Sequence, residues 1–326
     1  MSKPADDSRW MAAAIALAGR TRGLTAPNPN VGCIIVRDGR VIGRGWTQPG
    51  GRPHAEAAAI ADAGGDIAGS TVYATLEPCA HVSERGPACS DLLAVARPER
   101  VVIGAGDPDP RTNGQGAERL RAAGIAVTEG VEAAACRASM AGFLTRLATG
   151  RPQVTLKMGL SIDGGLAMDD GRSRWITGPA ARAHAHVERA RHELILVGRG
   201  TLAADAPKLD VRVAGLEARS PRPVLLSAHA EGLPEGWLHI ASPNDIASLP
   251  GDHLMVEGGA GAAAAFLSAD LIDRLAVYRA PILIGAARTL GDIGLTDLLQ
   301  AHGRWQMVDM RALGGDRLEI YERRRS

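Results

Sequence analysis

Four residues in two short stretches carry side chains that could do chemistry together: His54 and Glu56 in RPHAE, and Cys79 and Cys89 in LEPCAHVSERGPAC. One imidazole and two thiolates make a donor set suited to zinc, which binds such ligands tetrahedrally and leaves a fourth position for water. The pKa of that water falls to about 7, so hydroxide becomes available near neutrality. A carboxylate close by but off the metal can take the water's proton and hand it to a departing group. At arbitrary spacing the same residues would read as a helix start and buried thiols, so the order H-A-E, L-E-P-C, P-A-C carries the argument. His81, in the same loop, is an alternative ligand in place of one thiolate, whereas Cys33 and Cys136 lack partners at metal spacing and read as core thiols.

The elements that must position these residues follow from apolar periodicity. An Ala-rich helix is predicted from about Ser8 to Gly19, then VGCIIVRDG and RVIGRGW as a hairpin about Asp38-Gly39, and a helix starting near His54. STVYATLE and RVVIGAGD read as buried strands, and GAERLRAAGIAVTEG as helix, Gly stop and strand. A helix from about Glu132 to Leu147 runs into ATGRP, whose Gly and Pro place a domain boundary near Gly150. Beyond it come the strand QVTLKMGLSIDG, a helix from about Pro179 to Arg191, and the strands ELILVG, PVLLS, HLMVEGG and RLAVYRAPILIG. Strands separated by helix-length stretches imply a largely parallel sheet with helices on its faces.

Length and composition agree with that plan. At 326 residues two domains are the default and one large α/β barrel is the competitor. Apolar residues at 45% and charged residues at 22% describe a folded chain rather than a disordered one. A net charge of +1 provides no basic field for a nucleic-acid backbone, and 3% aromatic residues leave little for base stacking, so no nucleic-acid partner is expected. No apolar run approaches the roughly 20 residues of a membrane span. MSKPADDSRW has two acids and no signal-peptide core, so a cytoplasmic location is expected, where four cysteines serve as metal ligands or core thiols rather than disulfides.

H-A-E followed by P-C resembles the signature of the zinc nucleoside and nucleobase deaminases. That signature closes with P-C-x-x-C, whereas nine residues separate Cys79 from Cys89 here. LEPCAHVSERGPAC is instead similar to the LEPCSHHGRTPPC of the pyrimidine deaminases of riboflavin biosynthesis, with one residue inserted. The insertion is expected to be absorbed between His81 and Gly86. TAPNPNVGC matches that family's PNPxVG, which implies pyrimidine contacts from Asn28 and Asn30; GDPDPRTNGQG resembles its DPNPxVxGxG. Turn chemistry and a glycine-rich loop are the plain readings of these two stretches.

The second half agrees with the same family of bifunctional deaminase-reductases. LKMGLSIDGGLAMDDGRSRWITGPAAR, LVGRGTLAADAPKLDVR and VEGGAGAAAAFL resemble its reductase segments. The resemblance implies dinucleotide contacts from Gly159, Trp175, Thr201, Asp205, Gly258, Gly259, Ala260, Gly261, Ala262 and Ala263. It implies substrate contacts from Ser173, Arg189, Leu209, Arg212 and Glu257, with Asp205 as a candidate for proton handling. The implied fold is an N-terminal cytidine-deaminase-like α/β/α sandwich (1-149) plus a C-terminal dihydrofolate-reductase-like α/β domain (150-326). The implied cofactors are Zn2+, on His54, Cys79 and Cys89 with Glu56 as acid/base, and NADPH. The implied partner is a pyrimidine ribose-phosphate, and the implied assembly a homo-oligomer, a dimer foremost. GRGTLA, from Gly198 to Ala203, also fits G-x-G-x-x-A, which leaves a Rossmann unit as an alternative. Ala206 in place of a family Asp, and Pro223 and Ser227 in PVLLS in place of Arg and Asp, put local cofactor contacts in question. The rival functions are a nucleoside or nucleic-acid deaminase with an appended domain and a zinc-stabilised regulatory module without turnover.

Overall fold

A computed structural model describes residues 4–81, 85–173 and 175–325. The chain divides into two compact units, Met1–Leu144 and Thr145–Ser326. A single large barrel is therefore excluded.

Unit 1 runs α1 (Pro4–Ala18), β1 (Gly32–Arg37), β2 (Arg40–Trp46), α2 (Ala55–Asp62), β3 (Thr71–Leu76), α3 (Cys89–Ala96), β4 (Arg100–Ala105), α4 (Gln115–Ala122), β5 (Ala126–Glu129) and α5 (Ala133–Ser139). The sheet order is β2-β1-β3-β4-β5. β1 is antiparallel to both neighbours, and β3, β4 and β5 are parallel. Asp38 and Gly39 turn the β1-β2 hairpin with φ of 52° and 71°, the left-handed pair that a tight hairpin demands. Ile35, Tyr73, Val101 and Ile103 are buried in the core, where Met11 and Leu93 join them. Cys33 and Cys136 lie in that core too, and burial pushes both thiols up, Cys136 to about 12. α2 presses closely on β2: a Cβ on Gly45 would meet the Ala55 carbonyl oxygen at 2.0 Å.

The helix predicted from Glu132 to Leu147 is two helices, α5 and α6 (Ala141–Thr149), broken at Met140. Ser139 Oγ donates to the Cys136 carbonyl at 2.7 Å, and the Ser139 carbonyl accepts from Asn30, so this turn satisfies itself outside the helical ladder. α6 contains the division between the two units.

Unit 2 comprises β6 (Gln153–Leu160), β7 (Ala167–Met168), α7 (Pro179–Arg189), β8 (Leu194–Gly198), α8 (Arg199–Asp205), β9 (Arg222–Leu226), β10 (Leu238–Ile240), β11 (His253–Val256), α9 (Ala260–Ser268), β12 (Arg274–Arg279), β13 (Ala287–Arg288), β14 (Trp305–Leu313) and β15 (Asp316–Arg323). Its main sheet has the order β10-β9-β8-β11-β6-β12-β15-β14. The first six strands are parallel, and β15 is antiparallel to both of its neighbours, β12 and β14. The strand predicted through RLAVYRAPILIG stops at Arg279, because Pro281 has no N–H to continue the ladder. The β14-β15 hairpin had no sequence expectation. Its outer strand buries part of every fourth residue only, so the two-residue period of a half-buried strand is missing. Among the described residues no helix is long and apolar enough to cross a membrane.

Candidate functional site

The deaminase-like residues converge at one end of the unit 1 sheet. His54 is the residue before α2, Glu56 lies in that helix's first turn, Cys79 follows β3, and Cys89 begins α3. His54 Nδ1 is 3.6 Å from Cys79 Sγ and 3.4 Å from Cys89 Sγ. The three ligand atoms lie within 4.8 Å of one another. Tetrahedral zinc with Zn–N near 2.0–2.1 Å and Zn–S near 2.3 Å requires N···S separations of about 3.6 Å, so this donor set fits the ion. His81 lies outside the group, its Nδ1 3.4 Å from Thr112 Oγ1. The place expected to absorb the inserted residue includes 82–84, which are outside the described residues.

The surrounding groups set the protonation and orientation of these candidate ligands. The Cys89 N–H, at the start of α3, donates to Cys79 Sγ at 3.3 Å, and the Cys89 thiol lowers the Cys79 pKa to about 4. Asn28 places its amide 3.1 Å from His54 Nε2. With Nδ1 on a metal, Nε2 keeps its proton and donates to that amide turned oxygen-first. Glu56 is 4% exposed; burial pushes its pKa up, with His54 partly offsetting the shift. Asn30 is also buried, and its amide nitrogen donates to the Ala18 and Ser139 carbonyls at 3.2 and 3.0 Å, tying two helix ends together.

Glu77, the acid of L-E-P-C, has no assignment from sequence and proves to be a hub. Its carboxylate accepts four backbone N–H groups, from Asp107, Gly114, Gly116 and Ala117. It thereby pins the GDPDPRTNGQG loop and the start of α4 against the segment bearing Cys79. The approach needs glycine at 116, where a Cβ would meet the Pro78 carbonyl oxygen at 2.1 Å. An acid directly before P-C, in an otherwise apolar strand end, was the available signal.

In unit 2 the expected residues collect mainly at the C-terminal ends of parallel strands. Glu257, directly after β11, is buried between two cations: Arg189 binds it through Nε at 2.9 Å and also through Nη2, and Lys157 Nζ stands 3.5 Å away. Burial raises the Glu257 pKa, but Lys157 and Arg189 outweigh it and hold the carboxyl below its ordinary value. Arg189 Nη1 also donates to the Asp210 carbonyl at 2.8 Å, which ties the segment from Leu209 to Arg212 to this cluster. Leu209 is buried, with φ of 57°, and Arg212 is exposed, pairing with Asp210 at 3.3 Å. Lys157 was missed by sequence reasoning, although a lone Lys in the apolar LKMG strand marks it.

The dinucleotide candidates line the neighbouring strand ends. Gly198 and Gly259 directly precede α8 and α9, and the Gly259 N–H donates to Thr201 Oγ1 at 3.1 Å. Gly258 precedes Gly259, while Ala260, Gly261, Ala262 and Ala263 form the first turn of α9. Gly159, near the end of β6, faces Thr177, whose Cγ2 would lie 3.4 Å from a Cβ there. Ser173 and Asp205 are exposed, Asp205 as the last residue of α8. Trp175 is 64% exposed, with the Arg182 guanidinium 4.7 Å from its ring centroid.

Comparison with known proteins matches each half to a family. Residues 4–105 match the cytidine and deoxycytidylate deaminase zinc-binding region, and residues 152–235 and 244–318 match the RibD C-terminal domain. The riboflavin biosynthesis protein RibD of Escherichia coli is 35% identical over 358 aligned positions, covering 95% of this chain and 97% of that protein. RibD of Mycobacterium tuberculosis is 37% identical over 324 positions, covering 94% and 95%. Among solved structures, Acinetobacter baumannii RibD (form 1) superposes with a TM-score of 0.85 at 33% identity, covering 99% of this chain and 100% of that one. A Thermotoga maritima diaminohydroxyphosphoribosylaminopyrimidine deaminase/5-amino-6-(5-phosphoribosylamino)uracil reductase gives a TM-score of 0.85 at 29% identity over 97% and 98%. With a zinc-binding deaminase domain ahead of an NADPH-dependent reductase domain, and with relatives matched along nearly their whole length, the chain belongs to the RibD family of bifunctional riboflavin-biosynthesis deaminase-reductases.

Proposed function

We propose that the two halves, 1-149 and 150-326, act in sequence on 2,5-diamino-6-(5-phosphoribosylamino)pyrimidin-4-one. The first replaces the C2 amino group by oxygen, and the second reduces the ribosyl side chain to ribityl. The observation that carries this reading is the convergence of His54 Nδ1, Cys79 Sγ and Cys89 Sγ beside the buried Glu56. A zinc ion held by those three ligands would supply an open coordination position and a water of lowered pKa. Glu56, buried and assigned no metal bond, takes the proton of the attacking water and delivers it to the amino nitrogen, which leaves as ammonia. Asn28 orients His54 and borders the pyrimidine, and Asn30 anchors the segment behind it.

In the second half, a bound NADPH would supply a hydride to C1 of the sugar, and the ring would open as its oxygen took up a proton. Gly159, Trp175, Thr201, Asp205 and the stretch from Gly258 to Ala263 would hold the dinucleotide. Arg189, with its planar fork, would hold the anionic substrate together with Ser173, Leu209, Arg212 and Glu257. Lys157 shares Glu257 with Arg189 and so fixes that carboxylate from a second side. Asp205 remains our candidate for proton handling or orientation. We place the protein in the cytoplasm, which suits its four free thiols, and propose a homodimer, which the exposed Met307, Val308 and Met310 of the outer strand β14 support.

The test is a pair of assays on zinc-loaded full chain: ammonia release from the pyrimidine, then NADPH oxidation on adding the deaminated intermediate. Both should proceed. Binding without ammonia release would favour the regulatory module, and release only from nucleosides would favour the other deaminases.

A further inference from the structure

We infer that Asp316, the first residue of β15, is a positioning residue for the reduction, holding through Gly178 the turn that presents Trp175. This rests on the reading of Trp175 as a dinucleotide contact. Asp316 directly follows Gly314 and Gly315, the turn of the β14-β15 hairpin, and is 6% exposed. Its Oδ2 accepts the Gly178 N–H at 2.6 Å from 138 positions away in the chain. Gly178 directly precedes α7, so this N–H stands at the positive end of an 11-residue helix, where a carboxylate is favoured by the helix dipole and gains a charge-assisted bond.

The local sequence cannot supply that acceptor. In a capping box the N–H of the residue before the helix is met by a Glu or Gln three residues on. Here that position is Ala181, and Gly178 has no side chain with which to cap α7 in the forward direction. A distant strand does it instead, and glycine leaves the room: a Cβ on Gly178 would lie 3.3 Å from Asp316 Oδ2. The hairpin packs on the first turn of α7 as well, since a Cβ on Gly314 would lie 3.3 Å from Ala180 Cβ.

The turn held in this way runs back from Gly178 to Ser173, whose carbonyl accepts the Ile176 N–H at 3.2 Å. Thr177 sets its methyl against Gly159, 3.4 Å from where a Cβ would stand. Arg182 donates to the Thr177 carbonyl and places its guanidinium 4.7 Å from the Trp175 ring centroid. Trp175 is 64% exposed, so burial does not fix its ring, and its place depends on the backbone of this turn and on Arg182. The other end of α7 is secured independently: His184 Nδ1 lies 2.9 Å from the Tyr278 hydroxyl, and Arg274 Nη1 donates to the Glu188 carboxylate at 2.8 Å. Loss of the Asp316 bond therefore frees the Trp175 turn and leaves Arg189 and Glu257 in place.

Calorimetric titration of the full chain with NADP+ tests this without turnover, alongside hydrogen exchange over 176–178. Asp316→Ala should weaken NADP+ about tenfold and speed exchange there by at least as much, with exchange in β6 and β11 unchanged as the sign that the unit is folded. Asp316→Asn keeps an acceptor for the Gly178 N–H and should stay within about threefold of wild type in both readouts. Because Asp316 acts through Trp175, the two losses should not add: in a Trp175→Ala background, Asp316→Ala should weaken NADP+ by less than about threefold further. A purely structural cap would give additive losses. Additivity, an Asn variant as weak as the Ala one, or unchanged exchange at 176–178 would overturn the inference. Trp175→Ala that left NADP+ affinity untouched would instead overturn the cofactor reading of Trp175 beneath it.

Discussion

Replacing Glu77 by Gln should loosen the loop beside the candidate zinc ligands and leave the rest of the chain intact. Glu77 is 3% exposed. Its Oε1 accepts from Gly116 and Ala117 at 2.9 and 3.2 Å, and its Oε2 from Gly114 and Asp107 at 3.0 and 3.3 Å. Gln preserves the shape but points an NH2 at one of those pairs, so two backbone donors lose their acceptor. At about 1–2 kcal/mol for each buried donor left unmet, the loop loses about 2–4 kcal/mol. Since 1.4 kcal/mol is tenfold, amide exchange at positions 114–117 should quicken by about 30- to 1000-fold. Hydrogen exchange of the full chain measures this peptide by peptide, and β6, in the other unit, is the internal control. Zinc binding should weaken with the loop, because Cys79 lies two residues from Glu77. Unchanged exchange at 114–117, or a loss spread evenly over β3 and β4 with the loop no worse than they are, would refute the reasoning.

Three further outcomes are expected. Glu56→Gln removes the proposed base without removing a proposed metal ligand, so ammonia release should fall about a hundredfold or more while zinc content by elemental analysis and reduction of the supplied intermediate persist. Arg189→Ala leaves the buried Glu257 carboxylate with Lys157 alone, which should cost about 3 kcal/mol in denaturant unfolding and slow reduction while sparing ammonia release. Burial, helped by Glu193 and opposed by Arg146, raises the Asp252 pKa to about 6. A carboxyl raised on folding contributes its stability at low pH and loses it as pH rises through about 6. Asp252→Asn should therefore raise the thermal midpoint above about pH 6 and give no gain below about pH 4.

The sequence by itself was sufficient for the family, the fold class and the candidate metal cluster. Ligand types, their order along the chain and the long reductase segments are local properties, and local properties survive in one dimension. His54, Glu56, Cys79 and Cys89 were legible for that reason, as were the hairpin at Asp38-Gly39 and the strands β3, β4 and β8. Tertiary structure decided what depends on partners distant in the chain. Asn28 and Asn30 are two residues apart in one motif, yet one faces His54 and the other ties the Ala18 and Ser139 carbonyls, because adjacent turns aim side chains at different neighbours. Glu77 looked like an ordinary strand-end acid until four amides from 30 to 40 residues downstream closed on it. Lys157 and Arg189 meet Glu257 from 100 and 68 residues away, through the sheet order that sets β6 beside β11. The antiparallel β14-β15 pair lay beyond apolar periodicity, because a strand at the sheet edge is stabilised by its neighbour's backbone and need bury little of its own side-chain surface.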